Sequence, residues 1–241
     1  MDQDKVIKQA VILAGGRGER LKPLTDNCPK PMVKVHGRPF LEYVINVLKK
    51  SGVEEIVLLL GYLHEKVSDY FGDGTKFGMK IKYSIGEVSD DTGTRVRNAK
   101  SLLAENFLLI YGDVYWPFLD LEKMSEFYYA SGKLGLVVVC DKGESKPNIQ
   151  VDEGNNVLSY VYGPEAGDSK FNWTEVGVFI MNRKIADFMP ENINFSWNKI
   201  TLPDLTARNQ LIAWKTNKAP DTITNPAHLS AFADKIKAPK F

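Results

Sequence analysis

Cysteine is nearly absent: Cys28 and Cys140 are the only two in 241 residues, far apart and in no metal-like spacing. That excludes a disulfide framework and a cysteine-based zinc site. Net charge is missing as well, with 31 basic against 30 acidic residues. A general nucleic-acid binder needs a net basic face to neutralise phosphates, so none is expected as a partner. No apolar run approaches the roughly 18 to 20 residues that span a bilayer, so no membrane partner is expected either. The start, MDQDKVIKQAVILAGG, carries two aspartates and no long apolar stretch, unlike a secretory signal. A cytoplasmic protein is the expectation.

What is present reads as one globular α/β domain over 1–241, with 44% hydrophobic and 25% charged residues. QAVILA, ending at Ala14, is a short apolar run bounded by glycine, as for a strand buried on both faces. Leu41, Val44, Ile45 and Leu48 fall at helical spacing, and Ser51-Gly52 closes that helix. EEIVLLL, MKIKYSI, NFLLIYGD and LGLVVVC read as further strands. Between them HEKVSDYF, RVRNAKSLLAE and LEKMSEFYYAS read as helices. This alternation over residues 1–140 predicts a doubly wound, mainly parallel, Rossmann-like sheet whose ligand sits beyond the carboxyl ends of the strands. Gly15 to Gly18 and Asp113 both lie there. Residues 141–241 change texture: an alternating hairpin in NIQVDEGNNVLSYVYG, a strand in WTEVGVFIMN, a short helix in RKIADFM and a last amphipathic helix. They predict a smaller, more antiparallel layer.

The stretch LAGGRGERLKPLTDNCPKPM (Leu13 to Met32) sets three glycines in four residues among basic side chains. Its bland reading is a strand-to-helix turn. Its functional reading is a backbone cleared for a phosphate, with Arg20 and Lys30 supplying charge. A dinucleotide fingerprint fails here, because Leu21 stands where a third small residue is needed and Pro23 and Pro29 interrupt any helix. A P-loop fails because no Gly-Lys-Ser/Thr follows.

The same stretch resembles the signature of the sugar-1-phosphate nucleotidyltransferases, L-A-G-G-x-G-x-R-L-x-P-L-T followed by P-K-P. VHGRPFLEYVINVLKKSGVEEIVLLLGYLHEKVSDYFGDG and IYGDVY resemble the family's next elements, and the likeness is good from about Gln9 to Val139. The resemblance implies that Leu13, Ala14, Gly15, Gly16 and Gly18 bind a nucleoside triphosphate. It implies that Arg20 contacts the phosphates, that Lys30 sits on the reacting phosphate, and that Asp113 holds Mg²⁺. Arg17 falls at a variable position and takes a lesser role. Asp221, in APDTITNPAHL, is the match for a second metal carboxylate, although the family's Asp-x-Gly-Thr-Pro is altered there. Glu87, Thr92 and Gly93 lie in the family's nucleotide loop, where Thr94 and Arg95 replace the commoner Gly and Ala. Thr92 can also serve as a helix N-cap.

The acceptor side departs from the family. Tyr162-Gly163-Pro164 stands where a Glu-Lys-Pro lysine usually holds the sugar phosphate, with Lys146 or Lys170 as substitutes. Glu175 stands where the family has Asn and suits sugar hydroxyls, so Gly163 and Glu175 are the acceptor-side candidates. The implied reaction joins an NTP and a sugar 1-phosphate into an NDP-sugar and pyrophosphate, for surface-polysaccharide precursors. GTP ranks first, because GYLHEKVSDYFGDGTKFGMKIKYS is most similar to guanylyl-transferring members acting on mannose- or heptose-1-phosphate. A phosphate monoester is already ionised at neutral pH, so no general base is needed and His36, His64 and His228 require no catalytic role. Two other readings stay open: a cytidylyltransferase using CTP and a non-sugar phosphorylated acceptor, and a catalytically silent nucleotide-sugar-binding subunit. Arg20, Lys30 and Asp113 speak against the last. A homo-oligomer is left open.

Overall fold

The structure is a computed structural model, and it describes residues 6–141 and 146–236. A seven-stranded sheet forms its centre, built from β1 (Gln9–Leu13), β2 (Glu55–Leu60), β3 (Lys80–Ile85), β4 (Asn106–Tyr111), β5 (Gly135–Cys140), β6 (Thr174–Asn182) and β7 (Leu211–Thr216). Their spatial order is β7-β5-β6-β4-β1-β2-β3. Neighbours pair in parallel, except that β6 runs antiparallel to both β4 and β5.

Every residue of β1 is buried, because helices and loops cover both faces of the sheet. Ala10 and Ile12 join one core and Val11 and Leu13 the other, as the two-residue period of a strand requires. Helix α1 (Phe40–Lys50) buries Phe40, Leu41, Val44, Ile45 and Leu48 against the first core, and Gly52 behind it takes a φ of 89°. Truncating Ile45 to alanine in so closed a core costs about 2–5 kcal/mol.

Helices α2 (His64–Phe71) and α4 (Leu121–Ser131) lie where the sequence predicts them. Helix α3 (Thr92–Asn98) starts earlier than expected, because the Asp91 carboxylate accepts from Thr92 N and caps it. Asp91, not Thr92, is the N-cap. The hairpin forms between Ile149–Val151 and Val157–Tyr160. RKIADFM becomes a 3-10 helix over Arg183–Phe188. Unforeseen are β7 at the sheet edge, a π-helical turn at Trp197–Thr201 and helix α5 (Leu202–Ala207). The second half is therefore more than an added layer, since β6 and β7 are strands of the main sheet.

From β1 the chain winds outward through β2 and β3, then returns to place β4 on the other side of β1. The carboxyl ends of β1 and β4 thus flank the topological switch point, where doubly wound sheets open a crevice. A short antiparallel ladder, Val114–Tyr115 with Asp221–Thr222, ties the end of the chain to that crevice, and α6 (Pro226–Lys235) follows it.

Candidate functional site

A cleft of about 480 Å³ opens at this switch point. It is lined by Leu13, Ala14, Gly15, Gly16, Gly18, Arg20, Lys30, Thr92, Asp113 and Glu175 among the residues singled out from the sequence. Glu87, Gly93, Gly163 and Asp221 are not in its lining. Glu87 is exposed beside it, and Gly93 is packed against Phe195, whose carbonyl accepts from Gly93 N at 3.0 Å.

The three glycines of the loop answer to three different constraints. A Cβ on Gly16 would meet nothing within 4 Å, so its backbone faces open cleft. Gly18 has a φ of 67°, and a Cβ there would lie 2.9 Å from Lys30 Cβ. Gly15 is small for a reason internal to the protein: its Cβ would lie 2.5 Å from the Arg95 guanidinium carbon. Clearance for a ligand therefore explains one glycine of the three.

Lys30 begins a short 3-10 turn after Pro29, and Asp113 follows Gly112 at the end of β4. Their side chains meet in the cleft, with Nζ 2.5 Å from Asp113 Oδ2, and both are mostly shielded from solvent. Arg20 is exposed at the rim. Arg17 instead stacks its guanidinium over the Tyr62 ring, 5.1 Å from the centroid, outside the lining.

Glu175 projects from β6 into a polar network. Its carboxylate accepts from Gly177 N and from Asn198 Nδ2. Asn198 also donates to the Tyr160 hydroxyl at 2.9 Å and accepts from the Tyr111 hydroxyl at 2.5 Å. Part of Glu175 still opens to the cleft, yet burial pushes its carboxyl up to about 7. The Gly177 and Asn198 bonds oppose that rise, and the Asp113 charge adds to it.

Asp221 is turned elsewhere. Both its oxygens accept from Lys235 Nζ, at 2.9 and 2.7 Å, and its strand neighbour Thr222 contacts His228 Nδ1 at 3.1 Å. In this structure the acid is thus ion-paired to α6 and does not line the cleft that holds Asp113. Thr224, two residues on, lines the cleft. Among the described residues no group of three or more His, Cys, Asp or Glu side chains is placed to hold a metal ion. Asp113 alone still fits Mg²⁺, which is commonly held by one or two carboxylates with waters and substrate phosphates.

Lys170 rests over the Phe171 ring at 4.9 Å, and neither it nor Lys146 lines the cleft. Sequence reasoning missed Asp90, Tyr111, Tyr162, Ser196, Asn198 and Thr224 as lining residues. Arg95 carried a visible signal, a long cation where the resembled motif is small.

The sequence model of the nucleotidyl transferase family matches residues 9–206. The chain belongs to that family. It is 37% identical to the D-glycero-alpha-D-manno-heptose 1-phosphate guanylyltransferase of Campylobacter jejuni over 197 residues, covering 79% of this chain and 83% of that protein. It is 35% identical to the bifunctional protein GlmU of Methanocaldococcus jannaschii over 181 residues, 75% of this chain but only 41% of that longer protein. The crystal structure of HddC from Yersinia pseudotuberculosis complexed with GMP-PN superposes with a TM-score of 0.80 at 28% identity, covering 96% of this chain and all of that one. No described helix is long and apolar enough to cross a membrane.

Proposed function

We propose that this chain transfers a nucleotidyl group from an NTP, GTP before others, to a sugar 1-phosphate, releasing pyrophosphate. The observation that carries the reading is the Lys30–Asp113 pair sharing one cleft with the open backbone of Gly16. The guanylyltransferase relative and the GMP-PN complex of HddC support guanine as the base, and that relative supports a heptose 1-phosphate as the acceptor class.

In this reading an ionised oxygen of the acceptor phosphate attacks the α-phosphorus, and the bond to the pyrophosphate oxygen breaks. Two anions approach each other, so cationic side chains carry the catalysis. The Lys30 ammonium would leave Asp113 for the α-phosphate, and Arg20 would hold the outer phosphates at the rim. Asp113 would hold Mg²⁺, which when bound supplies charge neutralisation to the triphosphate and the departing pyrophosphate. No proton has to be removed from the acceptor. Glu175 and Asn198 form a polar floor suited to sugar hydroxyls.

The test is pyrophosphate release with GTP, ATP, CTP and UTP against mannose-, heptose- and glucose-1-phosphate and phosphocholine. GTP with a sugar 1-phosphate is the expected pair. Turnover of CTP with phosphocholine alone would move the acceptor class, a reading favoured only by Gly163 standing where the family's lysine is usual, beside the cleft-lining Tyr162.

A further inference from the structure

Arg95 is an unusual side chain for its place. It is 5% exposed, and among the described residues no carboxylate lies within ion-pair distance of it. Its guanidinium donates to the carbonyls of Leu60 at 2.6 Å and Glu87 at 2.7 Å, and it lines the cleft beneath Gly15. A guanidinium has five N–H donors, so these bonds leave some unspent. A buried cation is expensive unless something complements it, and backbone carbonyls do so only in part.

The other end of the cleft fixes what that complement is. Lys30 and Arg20 mark where phosphates go. Around Arg95 the lining charges are instead the carboxylates of Asp90 and Asp91, which repel a triphosphate. A neutral group with hydrogen-bonding edges suits this end. Asp90 Oδ2 and Arg95 Nη1 lie 2.5 and 3.4 Å from one point, the place a Gly86 Cβ would occupy, yet they form no ion pair. Nη1 and Nη2 are each engaged with carbonyls, Nη2 also reaching Val88 at 3.5 Å, so it is the remaining N–H groups of the guanidinium that stand near the Asp90 carboxylate without pairing to it. Asp90 Oδ2 also accepts from Glu87 N at 3.0 Å, which orients the carboxylate.

We propose that Arg95 and Asp90 read the nucleobase, and that their donor–acceptor pattern selects guanine. Guanine offers acceptors at O6 and N7 to a guanidinium, the pairing arginine makes most often with a base. Its N1–H and N2–H₂ donors match the Asp90 carboxylate. Adenine presents an amino donor where Arg95 also donates, and cytosine does the same. Uracil has the right O4 and N3–H but turns a second carbonyl toward the carboxylate. The inference rests on the reading of the cleft as a nucleoside triphosphate site.

Calorimetric binding of GTP, ITP, XTP and ATP, without acceptor, tests it on the full chain. The wild type should hold GTP about tenfold or more tighter than ATP, with ITP weakened by loss of the 2-amino group. Asp90→Asn keeps an oxygen for Glu87 N but presents a donor to the base. It should lose GTP affinity by about tenfold while gaining affinity for XTP, which has a carbonyl at position 2. Arg95→Lys should narrow the GTP-to-ATP ratio, with melting curves to confirm that it folds. Equal binding of ATP and GTP by the wild type would overturn the proposal. So would an unchanged GTP-to-XTP ratio in folded Asp90→Asn. If no triphosphate binds the wild type, the nucleotide reading of the cleft falls with it. If GTP binds and turns over while the ratios stay fixed, base reading by these two residues alone falls.

Discussion

Lys30 Nζ lies 2.5 Å from Asp113 Oδ2, bringing together residues 83 positions apart in the chain. Each is the counter-charge of the other, so neither can be altered independently. Lys30→Ala should lower kcat by about a hundredfold or more, with a smaller change in GTP affinity, because the ammonium matters most as charge redistributes on the α-phosphate. Single-turnover rates beside calorimetric dissociation constants check this. A Lys30→Ala/Asp113→Asn double variant should lose less than the two single losses combined, since both members of one pair are gone.

Asp113→Asn and Asp221→Asn should differ sharply. The first removes the cleft's metal-holding charge and should slow turnover on the order of a hundredfold. The second breaks an ion pair with Lys235, which is itself half-exposed, and should change kcat less than about twofold and stability by about 0–1 kcal/mol. Equal and large losses from both, in Mg²⁺-dependent rate measurements, would mean that Asp221 turns inward during the reaction.

Gly16→Val should fold normally, as its side chain enters open cleft, but bind GTP poorly. Gly15→Ala should do the reverse of a clean block. Its methyl meets the Arg95 guanidinium and should cost about 1–3 kcal/mol of stability, read from denaturant midpoints.

Glu175 gives the protein a pH signature. Its folded carboxyl keeps a proton up to about 7, against an ordinary value of 4.5. Between those values the folded state binds more protons than the unfolded one, so stability falls as pH rises through the window. The full difference is about 3 kcal/mol at most, since part of the residue meets solvent. In Glu175→Gln that decline should vanish, and urea midpoints of the two proteins at pH 5 and pH 8 measure it.

Much of the fold was legible in the sequence, because β1, β2 and β4 are continuous apolar runs and α1 carries a helical period, as their burial demands. β7 was not: LIAWKT is buried only in its first half, and an edge strand leaves no alternation to read. The glycine loop, Lys30 and Asp113 are local motifs at strand ends, so their convergence could be foreseen from strand polarity. The Asp221–Lys235 ion pair joins a strand to a helix across 14 positions, a contact that no local pattern announces. Asn198 and Ser196 reach the cleft through an irregular turn, and nothing in SWNKIT signals that.

The seat of Arg95 beneath Gly15 and Gly61 also bears on how this chain can vary over time. A methyl group at either glycine collides with the guanidinium, and one at Gly61 also meets the Gly15 carbonyl at 2.9 Å, while loss of the guanidinium takes a second donor from the carbonyls of Leu60 and Glu87, which keep Gly86 N and Asp90 N. Residues 15 and 95 therefore make one inherited unit: substitutions harmful singly become tolerable together, whereas Gly61 stays bound by the Gly15 carbonyl. Gly15→Ala should regain stability in an Arg95→Ala background, and any descendant that shortens residue 95 is released to vary residue 15.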